Sequence, residues 1–564
     1  MGVLADTATK LYGKHEIKFG GEFRRYLSAS FGGNIGAITF NSFQNNFAQD
    51  NTTVFSIQPN TVSSRVYADS LAFFGQDNFK VTPRLTLEYG LRFEWNGTPV
   101  EGANRFTIFN PSNVTLTQVG TNGLAANSAY NQNYNYEPRG GFVYDFFGTG
   151  RTVLRAGYGY LVDQPVSGVV GGLSTNPPFS STVSYNNAAA PIPLNNLYAS
   201  AKASGISLSM VNPKFSNAYI ESFNVNVQQA LPLGLVASLG YYGSVGRHLL
   251  IVTNANQVVG TSTANQVHPF TALAANSPIA PGGAIASNIA ERNSIGSSNY
   301  NAMWAVLSKN MSHGLEFSMN YDWSKSMDLN SLGSQGGFVL PDSNNPRENR
   351  GLSDFDVRNH YAATAIYNLP FKANRLVSGY QLSTIVQYQG GNPVNIVASS
   401  DGFNGIAGLI RPTQIGKLVR KQQQTAGTPN VTLFQSTGLG YGGTTCDITN
   451  TTPSCVFQVQ GTQASATAAT SPTVYAGLGT LQRNAGTGPS FTDIDLSGEK
   501  DTQLFKTVVL KIRADAFDIL NHPNFGQPIS NVQSSAFGLI TATRFATSDG
   551  GSSRQLQLSA KFVF

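Results

Sequence analysis

A handful of residues in this chain stand at spacings that suggest chemistry. Asp493, Asp495 and Ser497, followed by Gly498, imitate the opening of a calcium loop, in which alternate oxygen ligands converge on one cation. The position that must supply a bidentate Glu is Leu504, and the segment alternates as a strand does, so no calcium site is assigned. Ser497 and Lys500 fit the bare Ser-x-x-Lys pattern of acyl-transfer enzymes. That chemistry needs a helix, and these residues fall at a predicted strand end, so chance accounts for the match better. The histidines (His15, His248, His268, His313, His360, His522) show no pairing at metal-ligand spacings, and neither His-Glu-x-x-His nor a phosphate-binding glycine loop occurs. No catalytic residue, metal or cofactor follows from these motifs, and nothing argues for an enzyme.

Two other groups carry structural readings. Cys446 and Cys455 lie in a Gly/Thr/Ser-rich segment at a spacing that suits a small disulfide-closed loop in an oxidising compartment, with two free thiols as the alternative. Arg347, Glu348, Arg350, Asp354, Asp356 and Arg358 form the densest charge cluster. It reads as a salt-bridge network holding a loop to a wall rather than as a substrate path, because buried charges usually pair among themselves.

The elements that must position these residues are strands. From Leu85 to Trp95, Leu85, Leu87, Tyr89, Leu91, Phe93 and Trp95 alternate with Thr86, Glu88, Gly90, Arg92 and Glu94. The pattern returns at Leu315 to Trp323 and at Leu556 to Phe564. Strands of about 10 residues, tilted roughly 40°, cross a hydrocarbon layer of about 25 Å, whereas soluble sandwich strands are commonly about five or six residues long. Charged residues in these segments stay off the apolar face. Trp95, Tyr160, Tyr241 and Trp323 sit near strand ends, as an interfacial aromatic girdle would.

The expected fold is therefore all-β: an antiparallel transmembrane β-barrel of the outer-membrane type. About fourteen strands are predicted, starting near residues 15, 67, 85, 136, 151, 218, 235, 299, 314, 358, 378, 489, 507 and 553. Short turns at 81–84, 147–150, 231–234 and 310–314 alternate with long Asn/Gly/Ser-rich loops at 96–135, 163–217, 246–298 and 390–488. Short periplasmic turns and long extracellular loops are the expected asymmetry. An even count leaves both ends on the periplasmic side, which requires 518–552, including Phe537 to Thr543, to be a loop rather than a span.

Composition agrees. Charged residues make up 12% of the 564, about half the usual share, with 41% hydrophobic and 11% aromatic, a profile that fits neither disorder nor a water-covered surface. No run of 18 or more apolar residues exists, so any membrane span must be made of strands. The net charge of +6 is dispersed, giving no nucleic-acid patch. The first residues lack the pattern of a secretory signal, and Asp6 replaces the Ser or Thr of a myristoylation site. An outer-membrane protein needs export, so the chain is expected to lack its natural beginning.

FFGQDNFKVTPRLTLEYGLRFEW at 73–95 resembles a hairpin of TonB-dependent receptors. The segments at 136–159, VGRHL at 245–249, NRGLSDFDVRNHY at 349–361, RADAFDILNHPNFGQP at 513–528 and the final QLQLSAKFVF resemble, in order, the Oar-like barrel branch of that family. The resemblance implies one TonB-dependent receptor-like β-barrel domain over residues 1–564, in the bacterial outer membrane, taking up a solute in its intact form. Phe562 and Phe564 resemble the terminal aromatic signal read by the outer-membrane barrel assembly machinery, which with outer-membrane lipid is the expected partner. Relatives carry a plug inside about 22 strands. The plug and roughly eight strands have no counterpart here, so TonB is a partner only if a plug region lies upstream. The alternatives are a passive pore, a surface adhesin or structural barrel, or a gene fragment without function.

Overall fold

The computed structural model describes the chain except for residues 33–36, 41, 58–61, 165–166, 181–182, 188–189, 198–201, 204, 260–266, 332–336, 372–373, 375–376, 400–408, 425–430, 436–455, 459–478, 506, 533, 535 and 545–552. Among the described residues, fifteen strands of nine residues or more carry the architecture. The first eight are β1 (Gly2–Tyr12), β2 (His15–Gly32), β3 (Val62–Thr82), β4 (Leu85–Asn96), β5 (Asn133–Asp145), β6 (Thr152–Val162), β7 (Tyr219–Ala230) and β8 (Leu235–Asn254). The others are β9 (Ile285–Ser312), β10 (Leu315–Asp328), β11 (Asn359–Asn368), β12 (Tyr380–Gln389), β13 (Phe491–Gln503), β14 (Val509–Phe517) and β15 (Gln555–Val563). Each pairs antiparallel with the next in sequence, so one meander runs from β1 to β15.

Register keeps like with like across the sheet. Phe93 of β4 stands opposite Phe73 of β3 and Tyr136 of β5, with the Phe93 and Tyr136 rings 5.3 Å apart. Leu91 on this apolar face is 50% exposed, while Glu94 on the polar face is 4% exposed. A water-soluble sheet shows the opposite bias. Among the described residues the buried apolar clusters lie not on this face but in the long connections and in the outer ends of β3, β8 and β9. Lipid must take the place of a core over most of the wall. Replacing Leu91 by Arg is therefore expected to destabilise the folded protein by about 2–4 kcal/mol in urea titrations from lipid vesicles. A change below about 0.5 kcal/mol would contradict a lipid-facing position.

The structure corrects the strand count. The fourteen expected strands are present, and β1 precedes them, joined to β2 by a tight turn at Gly13, where φ is +59°. Its face shared with Phe19 and Phe23 carries Asp6 and Lys10 beside Leu4 and Ala8, so it shows no alternation to read. With fifteen strands the two ends of the chain lie at opposite ends of the sheet, not at the same one. The expected loop 246–298 is also shorter, because β8 continues to Asn254 and β9 resumes at Ile285. These extensions are held by burial of Ile251 and Ile289 against the loop clusters. At 28 residues β9 is about 90 Å long, far beyond a membrane crossing. Residues 518–552 form no spanning strand among those described: Leu539–Ile540 pairs with Val431–Thr432 of another loop.

Candidate functional site: the polar face of the sheet

On the polar face of β2–β5, Arg92 is the hub. Its guanidinium lies 2.8 Å from Glu94, 3.3 Å from Glu22 and 3.8 Å from Glu137. Arg24 closes on Glu22 at 2.5 Å. Period-two alternation places Arg92 and Glu94 together, and register brings Glu137 opposite Arg92 and Glu22 opposite Ala72, which in turn faces Glu94. Ala72 is small enough for the charges on either side of it to meet. Gln164, from the connection after β6, donates to Glu94 at 2.6 Å and to Ser70 at 2.9 Å, and accepts from the Tyr26 hydroxyl. A cavity of about 590 Å³ opens here, lined by Arg24, Tyr26, Ser28, Asp163 and Gln164 among others.

Asp163, at the rim of that cavity, has its carboxyl held above the usual range by burial. A carboxyl that ionises less readily folded than unfolded weakens the fold as pH rises from its unfolded value of 3.8 through the higher folded one. Asp163→Asn is expected to remove this loss, so the variant gains on the parent above that window and matches it at pH 3. Unfolding midpoints across pH check it, and a parallel offset at every pH would refute the assignment.

A second ladder lines β13 and β14. Lys511 bridges Glu499 at 3.0 Å and Asp501 at 2.9 Å, and Arg513 reaches Asp515 at 2.8 Å and Glu499 at 3.8 Å. Ser497 donates to Asp515 and accepts from Arg513 at 3.2 Å. Lys500 points the other way, with its ammonium 4.8 Å from the Tyr380 ring. Three residues apart in a strand means opposite faces, so the Ser-x-x-Lys pair is not assembled. Asp493, Asp495 and Ser497 share a face but are strung along an extended strand, and Asp495 accepts from the Asp518 amide at 3.1 Å. Among the described residues no group of three or more His, Cys, Asp or Glu could hold a metal. The histidines are dispersed: His15 lies 2.7 Å from Asp77, His360 3.5 Å from Asp322, His268 2.8 Å from the Asn256 carbonyl, and His248 packs on Tyr219. His313 occupies a turn with φ +53°, and the His522 amide donates to Asp518.

Between the ladders the polar face opens into a groove of about 510 Å³, floored by Gly141, Gly157 and Gly159. Glu88, Arg139 and Arg155 line it together with Asn224 and Asn226. Arg155 donates to Gln228 at 2.8 Å. A Cβ at Gly141 would lie 2.8 Å from the Ala156 carbonyl, so the floor cannot be raised there without moving backbone.

Residues 2–557 match the model of the outer membrane beta barrel domain. The chain belongs to that family. The fold is an antiparallel transmembrane β-barrel, as the alternation predicts, and its place is the bacterial outer membrane. Similar solved structures include the outer membrane transporter YddB from Escherichia coli, aligned over 100% of this chain and 54% of that one, with TM-score 0.49 and 11% identity. Another is the siderophore receptor PiuA from Acinetobacter baumannii, at 99% and 55% coverage, TM-score 0.41 and 11% identity. The barrel chain thus spans about half the length of these structures. No curated protein matches it.

In this barrel the polar face is the lumen wall, and the long connections are extracellular. The charged cluster read from the sequence sits in one of them but makes its contacts elsewhere. Asp354 pairs with Arg483 at 3.2 Å, Asp356 accepts from the Ser326 amide at 2.5 Å, and Arg358 lies 5.9 Å from the Trp323 ring. Arg350 donates to Ser297 at 3.3 Å and to Asn299. Glu348 accepts from Asn345 at 2.5 Å and, through its carbonyl, from Arg411 at 2.9 Å, while Arg347 lies in the short helix Pro346–Asn349. Arg411 and Arg483, far along the chain and flanked by no other charge, were not singled out by the sequence. Cys446 and Cys455 lie outside the described residues. Phe562 stands on the outward face of the last strand, 54% exposed, and Phe564 lies one residue beyond that strand, 91% exposed.

Proposed function

We propose that the barrel forms the wall of an outer-membrane receptor for uptake of a solute, of the TonB-dependent, Oar-like kind that its ordered segments resemble. The observation that carries this reading is the lumen wall: its ion pairs are satisfied among themselves in two ladders, and between them lies an open, glycine-floored groove. A wall built only to hold a structure would have no reason to keep such a groove clear. Phe562 and Phe564 would present the terminal strand to the assembly machinery, and lipid would cover the apolar face. TonB would engage a plug region if one is joined to the barrel. The charged cluster at 347–358 would fasten its loop to the neighbouring one, and the two cysteines would close a small loop.

A second reading, a surface-binding barrel or passive pore, is favoured by the loops, which bury cores of their own such as Phe106, Leu116 and Leu433. Expression with the native upstream region, followed by fractionation and planar-bilayer recording, separates these readings. Uptake predicts outer-membrane recovery with little steady current. Large steady currents indicate a pore, and recovery in the soluble fraction refutes all of them.

A further inference from the structure

We propose that the lumen wall formed by β7–β9 binds an uncharged, hydroxyl-rich sugar chain, an inference that rests on the uptake reading above. From residue 219 to 230, 235 to 246 and 298 to 309, the lumen-facing positions include no ionised side chain. They carry Ser, Asn, Gln and aromatic residues, with a few small or aliphatic ones such as Ala302 and Val306 between them. On the strands to either side stand Arg155 of β6, which donates to Gln228 at 2.8 Å, and Asp322 of β10.

Three aromatic side chains climb this wall. Trp304 of β9 stands opposite Gly240 of β8, Tyr242 comes two residues above Gly240, and Tyr300 stands opposite Ser244, two further still. Each step is about 7 Å along the strand, and the series runs toward the extracellular end. The Tyr242 and Tyr300 rings are 6.0 Å apart. Gly240 is the residue that lets the indole lie across the wall: a Cβ there would come within 2.4 to 2.7 Å of three Trp304 ring atoms. The indole therefore lies against backbone on one side, and all three aromatics are half-buried, with part of each surface left open.

Apolar ring faces stack on the C–H faces of pyranose rings, while amides and hydroxyls supply donors and acceptors together for sugar hydroxyls. Asn224 and Asn226 stand opposite Tyr242 and Gly240 on β7 and also line the glycine-floored groove. Ser222, another groove residue, donates to the Tyr242 hydroxyl at 3.1 Å. Groove and aromatic series are thus one continuous surface. Asp322 faces Trp304 from β10 and has His360 at 3.5 Å. Along β7–β9 themselves a carboxylate or ammonium on the ligand meets no ionised side chain and would lose hydration without return, while the guanidinium of Arg155 at the groove edge is engaged by Gln228.

The test uses the full chain refolded in lipid vesicles and titrated with cellohexaose, maltohexaose and hexagalacturonate, reading tryptophan fluorescence. Heat-modifiable gel migration first reports whether the barrel has inserted. A chain that fails to insert counts against the uptake reading, whereas an inserted barrel isolates this inference. Saturable binding of at least one neutral hexaose is expected, at least tenfold tighter than hexagalacturonate. Trp304→Leu is expected to abolish the fluorescence change, and Gly240→Ala to weaken binding about tenfold by displacing the indole. Tyr242→Ser, read by calorimetry, tests the series if either variant fails to insert. An inserted barrel that binds none of the three, that prefers hexagalacturonate, or that binds a neutral hexaose undiminished by these substitutions overturns the proposal.

Discussion

Arg483→Ala is expected to release the joint between the 329–358 and 390–490 loops, at a cost of about 3–5 kcal/mol in local stability. Arg483 is 6% exposed and donates to both the carboxylate and, at 3.1 Å, the carbonyl of Asp328, itself 5% exposed in its side chain. The same guanidinium reaches the Asn349 carbonyl at 3.1 Å and Asp354 at 3.2 Å. Beside it, Arg411 donates to the Asn349 side chain at 2.6 Å, and burial holds its guanidinium below the usual range. Alanine leaves Asp328 buried without its cation, and that stranded charge, more than the lost contact, sets the size of the effect. Hydrogen exchange should accelerate at 349–354 and 483–488, and intact cells should become open to proteolysis there. Arg483→Lys keeps the charge but loses the planar fork, so it falls between. Asp354→Asn, at a position 48% exposed, should cost under about 1 kcal/mol. Equal effects of Arg483→Ala and Asp354→Asn would refute the assignment.

The barrel wall was legible in the sequence because lipid imposes a simple rule on it. A strand with lipid on one face and a polar lumen on the other must alternate, so Leu85 to Trp95 announces itself without any partner. β1 breaks the rule with Asp6 and Lys10 among its outward residues, and it is strand only by pairing with β2, a fact of register that composition does not carry. The outer ends of β8 and β9 escaped for a related reason. Beyond the membrane they pack against loop clusters, and their alternation gives way to Leu249–Val252, apolar on successive residues. The site was less legible still. Glu22 and Arg92 meet across 70 residues of sequence, and Arg483 and Asp328 across 155, so no local spacing could pair them. The charge cluster at 347–358 was visible as density, but its partners were not. Strand geometry, by contrast, settles a motif that spacing alone left standing: Ser497 and Lys500 face opposite sides of β13.

Arg92→Met is the sharpest test of the lumen ladder. The thioether fills much of the volume of the Arg stem but leaves three carboxylates around an uncharged group. Glu22 keeps Arg24, and Glu94 keeps Gln164 at 2.6 Å and Asn96 at 3.2 Å. Glu137 is 5% exposed, and its ion pair is the 3.8 Å approach of Arg92. The expected loss is about 3–5 kcal/mol in urea titrations from vesicles, most of it at Glu137. Neutralising that carboxyl should then restore stability. Glu137→Gln alone should change little, and the double variant should recover most of what Arg92→Met loses, giving a coupling of at least about 2 kcal/mol. If the two substitutions add to within about 0.5 kcal/mol, the carboxylates are hydrated from the lumen and Arg92 is not their hub. If they couple, the lumen wall on this side is held by charge, its ion pairs closed among themselves.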